Sequence, residues 1–413
     1  MGTQGAFFTA SELDTLRDHG IVIHAQRVIF DAQPPMSPAQ IAAVQAQCAG
    51  PLPTSLIALW QQTAGGRLDY DLNLRMNDCA EDVSWCDLFW NDGDGKSDDD
   101  GDLQGWIAHE KQSSGADLLK RLPIGGFEET DRIYAVVDAQ AADHGHIVAW
   151  KLGLPAAWSH AMHEDGEAVI ASDLPGALAT LHLHEDPLDP AGDYFTGQTL
   201  LEYLDERHED HGLPLELADK LVDFYRRAMV DWRTPLREGR IGSDGMLARI
   251  ALRHAVATDD APMVDALAVA GVRFDAPLQG SGTATDLALG HGAYQAAAAL
   301  VAAGAPVSTD ALEHVEGALS PDLTGQLLAA GALPSAAAMA QCVACAAPAS
   351  ARRIGDALAA DGVDVGTAFE AARADLLTEL EDSLAQVQRG ELVHYLGPEG
   401  LLRRVEHLRE FEF

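Results

Sequence analysis

Ala270-Gly271-Val272, Ala303-Gly304-Ala305, Ala330-Gly331-Ala332 and Asp361-Gly362-Val363 recur along the C-terminal part of the chain, each after a run of Ala and Leu. The glycines stand 33, 27 and 31 residues apart. A repeat of this length is one supersecondary unit that cannot bury its apolar face alone, so neighbouring units must stack. Residues 250–257 and 263–268 read as two helices of the first unit, and residues 284–292 and 299–301 supply the second. Small alanines allow close helix packing, and each glycine ends a helix. Residues 246–413 are therefore expected to form an all-α stack. Its third and fourth units read as shorter and degenerate, and leucine-rich residues 376–408 read as a helical cap.

A different grammar governs residues 52–74. Leu52-Pro53 precedes Leu56, Leu59 and Trp60 at helical spacing, and proline suits the first turn of a helix because it needs no donor there. Gly65-Gly66 reads as the C-cap, and Leu68, Tyr70, Leu72 and Leu74 then alternate at strand period. This ordered set, Leu52, Pro53, Trp60, Gly65 and Gly66, resembles the opening signature of the SUKH superfamily. Two further stretches resemble its core hairpin, residues 132–138 and 145–150, after Leu122-Pro123-Ile124-Gly125-Gly126. Ile170-Ala171-Ser172-Asp173-Leu174 resembles its closing helix start, with Ser172 or Asp173 as N-cap. The resemblance spans roughly residues 37–184. The 33-residue spacing of the C-terminal part is similar to that of ankyrin repeats.

Together these imply an α+β chain: a SUKH-like mixed α/β domain at 1–185, a helical bridge at 186–245, and ankyrin-like repeats with a helical cap at 246–413. The bridge begins at the proline-rich, acidic run from His184 to Pro190. Many bacterial SUKH proteins are immunity proteins, so the resemblance implies an antitoxin that binds a cognate toxin.

Charge gives the partner's sign. The chain carries 64 Asp and Glu against 27 Lys and Arg, a formal charge of −37. Such a surface repels nucleic acid and favours salt-sensitive capture of something basic. No apolar run reaches the ~18 residues of a membrane helix, and the first residues, with Glu12 and Asp14 close behind, do not read as a secretory leader. A cytoplasmic location is the expectation. Five cysteines do not form a disulfide framework. Cys342 and Cys345 read as packed thiols, with a redox or metal role as the alternative.

Residues 85–102 hold the densest charge. Trp85, Phe89 and Trp90 precede Asp92, Asp94, Asp98, Asp99, Asp100 and Asp102. A calcium loop fails on spacing: starting from Asp92, position six is Ser97 rather than Gly, and no Glu stands at position twelve. The run reads as an acidic surface loop, with its carboxylates as candidate contacts for a basic toxin groove. The aromatics are candidate anchors or core residues. No phosphate-binding loop, dinucleotide fingerprint, His-Glu-x-x-His or nucleophile elbow is present. The expectation is therefore a non-enzyme without cofactor or metal, recognising a basic toxin protein. An intracellular ankyrin-type scaffold for an endogenous partner is the alternative.

Overall fold

The computed structural model describes residues 7–77, 79–90, 102–154, 162–188, 196–275, 282–394 and 396–412. They fall into two compact units, Met1–Val230 and Asp231–Phe413. The first mixes sheet and helix and the second is helical, so the α+β class holds at that level.

The first unit runs α1 (Ala10–Asp18), β1 (Val22–His24), β2 (Arg27–Ile29), α2 (Pro38–Gln45), α3 (Thr54–Trp60), β3 (Gly66–Arg67), β4 (Asn73–Met76), β5 (Cys79–Asp82) and β6 (Asp87–Leu88). It continues with α4 (Leu103–Ser114), β7 (Arg121–Phe127), β8 (Asp131–Val136), β9 (Ile147–Lys151), β10 (Gly166–Ala171), α5 (Leu174–Thr180), α6 (Gln198–His211) and α7 (Leu215–Tyr225). Six strands form one antiparallel sheet in the order β10-β9-β8-β7-β6-β3. Ile133, Ala135, Ile147 and Ala149, on one face of β8 and β9, share a core with Leu56, Leu59 and Trp60 of α3 and with Leu174 and Leu178 of α5. The opposite face carries Arg132 and Tyr134, which meet α4.

Local chemistry sets several boundaries. Ser37 and Gln40 make a capping box with Pro38 in the first turn of α2. Asp173, the second of the two candidate caps, accepts from the Gly176 amide at 2.7 Å and starts α5. The hairpin expected from residues 132–138 and 145–150 is β8 paired with β9.

Three expectations need correction. Gly65 and Gly66 do not cap α3, which ends on Gln61 in an ordinary right-handed conformation. They lie where the sheet edge leaves no room for a side chain. A Cβ on Gly65 would stand 2.6 Å from the Leu88 carbonyl oxygen and from Trp90 Cα. The strand expected through Leu68 to Leu74 breaks after Arg67, because Asp69 and Asp71 leave the sheet to bind other segments. Residues 106–119 read from their sequence as a helix; α4 starts earlier, at Leu103, where Asp102 caps it, and stops earlier, at Gly115 with φ +65°.

The stretch 186–230 joins the first unit rather than standing apart. Leu200, Leu204, Leu217, Leu221 and Phe224 bury themselves in that unit's core. Asp69 supplies the N-terminal cap that α6 lacks in its own sequence: its Oδ2 accepts from the Leu200 amide at 3.0 Å. Distant segments are thus welded by a carboxylate doing the work of a local N-cap.

The second unit runs α8 (Arg233–Arg237), α9 (Gly245–Ala257), α10 (Ala261–Val269), α11 (Ala284–Gly290), α12 (Tyr294–Ala302), α13 (Pro321–Ala330), α14 (Ala336–Ala344), α15 (Pro348–Ala360), α16 (Val365–Arg389) and α17 (Gly397–Glu410). The four repeat glycines have φ of +80°, +81°, +118° and +80°. After each, the next amide reaches back five residues: Val272 to Leu267, Ala305 to Leu300, Ala332 to Leu327 and Val363 to Leu358, at 2.9 to 3.1 Å. This is one Schellman closure used four times. The leucine that accepts each bond is buried. The third unit's first helix shrinks to a 3-10 turn, Ala311–Glu313. The fourth, expected to be short, is a full pair, α14 and α15. Helices α16 and α17 pair with each other and pack on α14. No described helix is long and apolar enough to cross a membrane.

Candidate functional site

The acidic run begins and ends on a fixed base. The Leu103 amide donates to the Trp90 carbonyl at 2.9 Å, and Trp90 and Asp102 form a parallel bridge. Asp92, Asp94, Asp98, Asp99 and Asp100 lie outside the described residues. Asp102 is described, and it is not a free contact. Its carboxylate accepts from the Gln104 and Gly105 amides at 3.0 and 2.9 Å, and the residue is buried. A carboxylate in this position stabilises α4 through its orphan amides and its dipole.

The aromatic anchors are corrected by burial. Trp85 is 1% exposed and Phe89 2% exposed, so neither presents a face to a partner. Trp85 fits because Gly125 has no Cβ: one there would lie 2.5 Å from the indole Nε1. Phe89 stacks on Trp106 of α4, with centroids 5.5 Å apart and planes 11° from parallel. The Arg132 guanidinium lies 3.2 Å from the Trp106 ring centroid and donates to the Glu128 carbonyl at 2.9 Å. A desolvated cation over an indole is worth ~2 kcal/mol. Burial pulls the Arg132 guanidinium below its usual range. Tyr134 donates to Glu110 Oε1 at 2.7 Å, tying β8 to the middle of α4, and burial raises its phenol. Of the three proposed anchors only Trp90 is half-buried rather than buried.

A second polar centre escaped the sequence reading. Asp71 exchanges backbone hydrogen bonds with His182, at 2.8 and 3.0 Å. Its carboxylate accepts from the His184 amide at 2.8 Å and from the Thr196 hydroxyl at 2.9 Å. His182 Nε2 and His184 Nε2 both meet Asn73 Oδ1, at 3.1 and 2.6 Å. The available signal was His182-Leu183-His184 at strand period, which puts two imidazoles on one side. The run from His184 to Pro190, read as a boundary, therefore starts inside this hydrogen-bonded cluster.

Cys342 and Cys345 are buried, and burial pushes their thiols up to about 12 and about 11. Such thiols carry little thiolate and suit packing. Among the described residues no group of three or more His, Cys, Asp or Glu is placed to hold a metal ion.

Acid is distributed unevenly. Residues 1–230 carry 39 Asp and Glu against 14 Lys and Arg, and residues 231–413 carry 25 against 13. No family model, no curated protein and no solved structure matches the chain.

Proposed function

We propose that the chain is an immunity-type antitoxin of the SUKH kind, which binds a basic toxin protein through its first unit and occludes that toxin's active groove. The observation that carries this is the concentration of negative charge: the first unit holds a net −25 of the chain's −37. Charge of that sign on a folded body accelerates encounter with a basic partner and repels nucleic acid. The pinned base between Trp90 and Asp102 adds support, since the acidic run starts and ends there. The segments that carry the SUKH resemblance also share a core, with Trp60 of α3, β8, β9 and α5 around one sheet. The partner is a polypeptide toxin of the secreted, polymorphic or type VI class, with a groove lined by Lys and Arg. The chain performs no reaction on it and needs no cofactor.

Co-expression with the toxin encoded beside its gene tests the proposal. Cells are expected to survive, and the purified pair is expected to bind at least ~10-fold more weakly at 0.5 M salt than at 0.05 M. Neutralising Asp92, Asp94, Asp98, Asp99 and Asp100 to Asn should lower the association rate. No rescue, or an affinity indifferent to salt, would overturn it.

The second unit favours a scaffold as the alternative. Four equal closures along a stack of ankyrin-like pairs make a regular platform of the kind that protein partners bind. Removing residues 231–413 separates the two, because an adaptor loses its partner and an antitoxin of the first kind keeps its toxin.

A further inference from the structure

Asn73, on β4, faces Asp82 across the β4–β5 hairpin, and its amide nitrogen donates to the Asp82 carboxylate. That contact fixes which end of the amide faces the histidines: the oxygen, which can only accept. His182 meets this oxygen through Nε2 at 3.1 Å. Through Nδ1 it meets the Thr180 carbonyl oxygen at 2.9 Å. Neither partner has a hydrogen to give, so the two contacts are both hydrogen bonds only when both ring nitrogens of His182 donate. Only the imidazolium has two N–H groups. His184 donates from Nε2 to the same Asn73 oxygen at 2.6 Å, which fills its second lone pair.

We propose that His182 is held as an imidazolium and acts as a proton-operated clasp, locking residues 180–184 to the β4–β5 hairpin and releasing them when the proton leaves. The charge sits among named neighbours. Asp71 comes within 3.9 Å of His184 Nδ1, and Asp82 stands behind Asn73. On the cationic side, Lys151 donates to the Asp82 carbonyl at 2.6 Å, and Arg27 binds the carbonyls of Leu181 and Ala179. His182 and His184 are 9% and 4% exposed, so little water reaches their rings to replace a lost bond. Neutral His182 keeps one N–H and leaves one buried nitrogen facing an oxygen, which costs the fold. The clasp is therefore complete at low pH and is lost as pH rises through the titration of His182 in the folded chain. The segment it holds also carries the Asp71–His182 backbone pair, and Asp71 in turn binds Thr196 just before α6. Loss of the proton would loosen α6 at its root.

Two measurements on the full chain test this. Imidazole ¹⁵N NMR, assigned against His182→Gln, is expected to show both ring nitrogens of His182 protonated at pH 7, where a free histidine with a pKa near ~6.5 is mostly neutral. Hydrogen exchange at the Asp71 and His182 amides, corrected for the intrinsic pH dependence, is expected to lose tenfold or more of its protection as that proton leaves. A neutral His182 at pH 7 would overturn the proposal, and so would unchanged protection after the proton is lost. If His182→Gln folds, its exchange profile should be flat with pH, and a profile like that of the parent would also overturn it. If it does not fold, the NMR and exchange of the parent chain decide alone.

Discussion

Gly65 in the first unit and Gly304 in the second both follow a helix, and each is there for a different physical reason. Gly65 needs room, because a Cβ would strike the Leu88 carbonyl and Trp90 at 2.6 Å. Gly304 has open space around it and needs only an angle, φ +81°. The same contrast runs through both units. The first is held by contacts between segments far apart in the chain, such as Asp69 with Leu200 and Arg27 with Leu181. The second repeats short-range closures in register and adds contacts between neighbouring units, such as the Asp259 carboxylate with the Ala296 amide. A unit built on distant contacts depends on a few irreplaceable atoms, whereas a repeat spreads its stability over equivalent neighbours.

Thiol labelling gives the largest contrast between folded and open states in both units. Burial pushes Cys86, with help from Asp87 and Asp69, up to about 12, and Cys342 also to about 12. At pH 8 such a thiol holds roughly a thousandfold less thiolate than one near 8.5. Cys86 is expected to label about as slowly as Cys342 although it is only half-buried. Peptide-resolved alkylation under rising denaturant checks this and reports the opening of each unit separately. Fast labelling of Cys86 in the native chain would show that partial exposure outweighs its suppressed ionisation.

Gly65→Ala against Gly304→Ala tests room against angle. The first is expected to cost about 3 kcal/mol, since backbone atoms must move. The second is expected to cost about 1 kcal/mol for a left-handed alanine. Denaturant midpoints read on unit-specific probes give both numbers. Equal costs would erase the distinction.

Asp69→Ala comes next, at about 2 kcal/mol, near the upper end for loss of a helix cap. The cap also docks α6, so exchange protection of that helix should fall with it. A loss confined to overall stability, with α6 protection preserved relative to its neighbours, would mean that leucine burial alone holds the helix.

The same division explains what could be read from the residues. Glycine closures and the β8–β9 hairpin are legible because each is written in a short window, and the repeat period because one such window recurs along the chain. The role of Gly65 was not, because the atoms that exclude a side chain there belong to Leu88 and Trp90. Nor was the burial of Trp85 and Phe89: aromatic residues beside an acidic run look alike whether they anchor a partner or fill a core, and only the sheet's register decides. His182 and His184 lie more than a hundred residues from Asn73, so no window along the chain could join them. The fourth repeat unit is a full pair rather than a shortened one because its second helix, α15, runs Pro348–Ala360.

The smallest effect probes whether stack units are coupled by side chains as well as by packed alanines. Ser335 caps α14 through the Ala338 amide at 3.0 Å and donates to Glu313 Oε1 at 2.6 Å. Ser308 makes the matching bond to Asp286 at 2.7 Å one unit earlier. Ser335→Ala should cost about 1 kcal/mol, most of it the lost cap. A double-mutant cycle with Glu313→Gln isolates the remainder, which for so exposed a contact should be about 0.5 kcal/mol. A coupling near zero would mean that this pair adds nothing to the apolar packing and backbone closures between its two units. A coupling above about 1.5 kcal/mol would mean that the second unit, like the first, relies on particular polar contacts between segments.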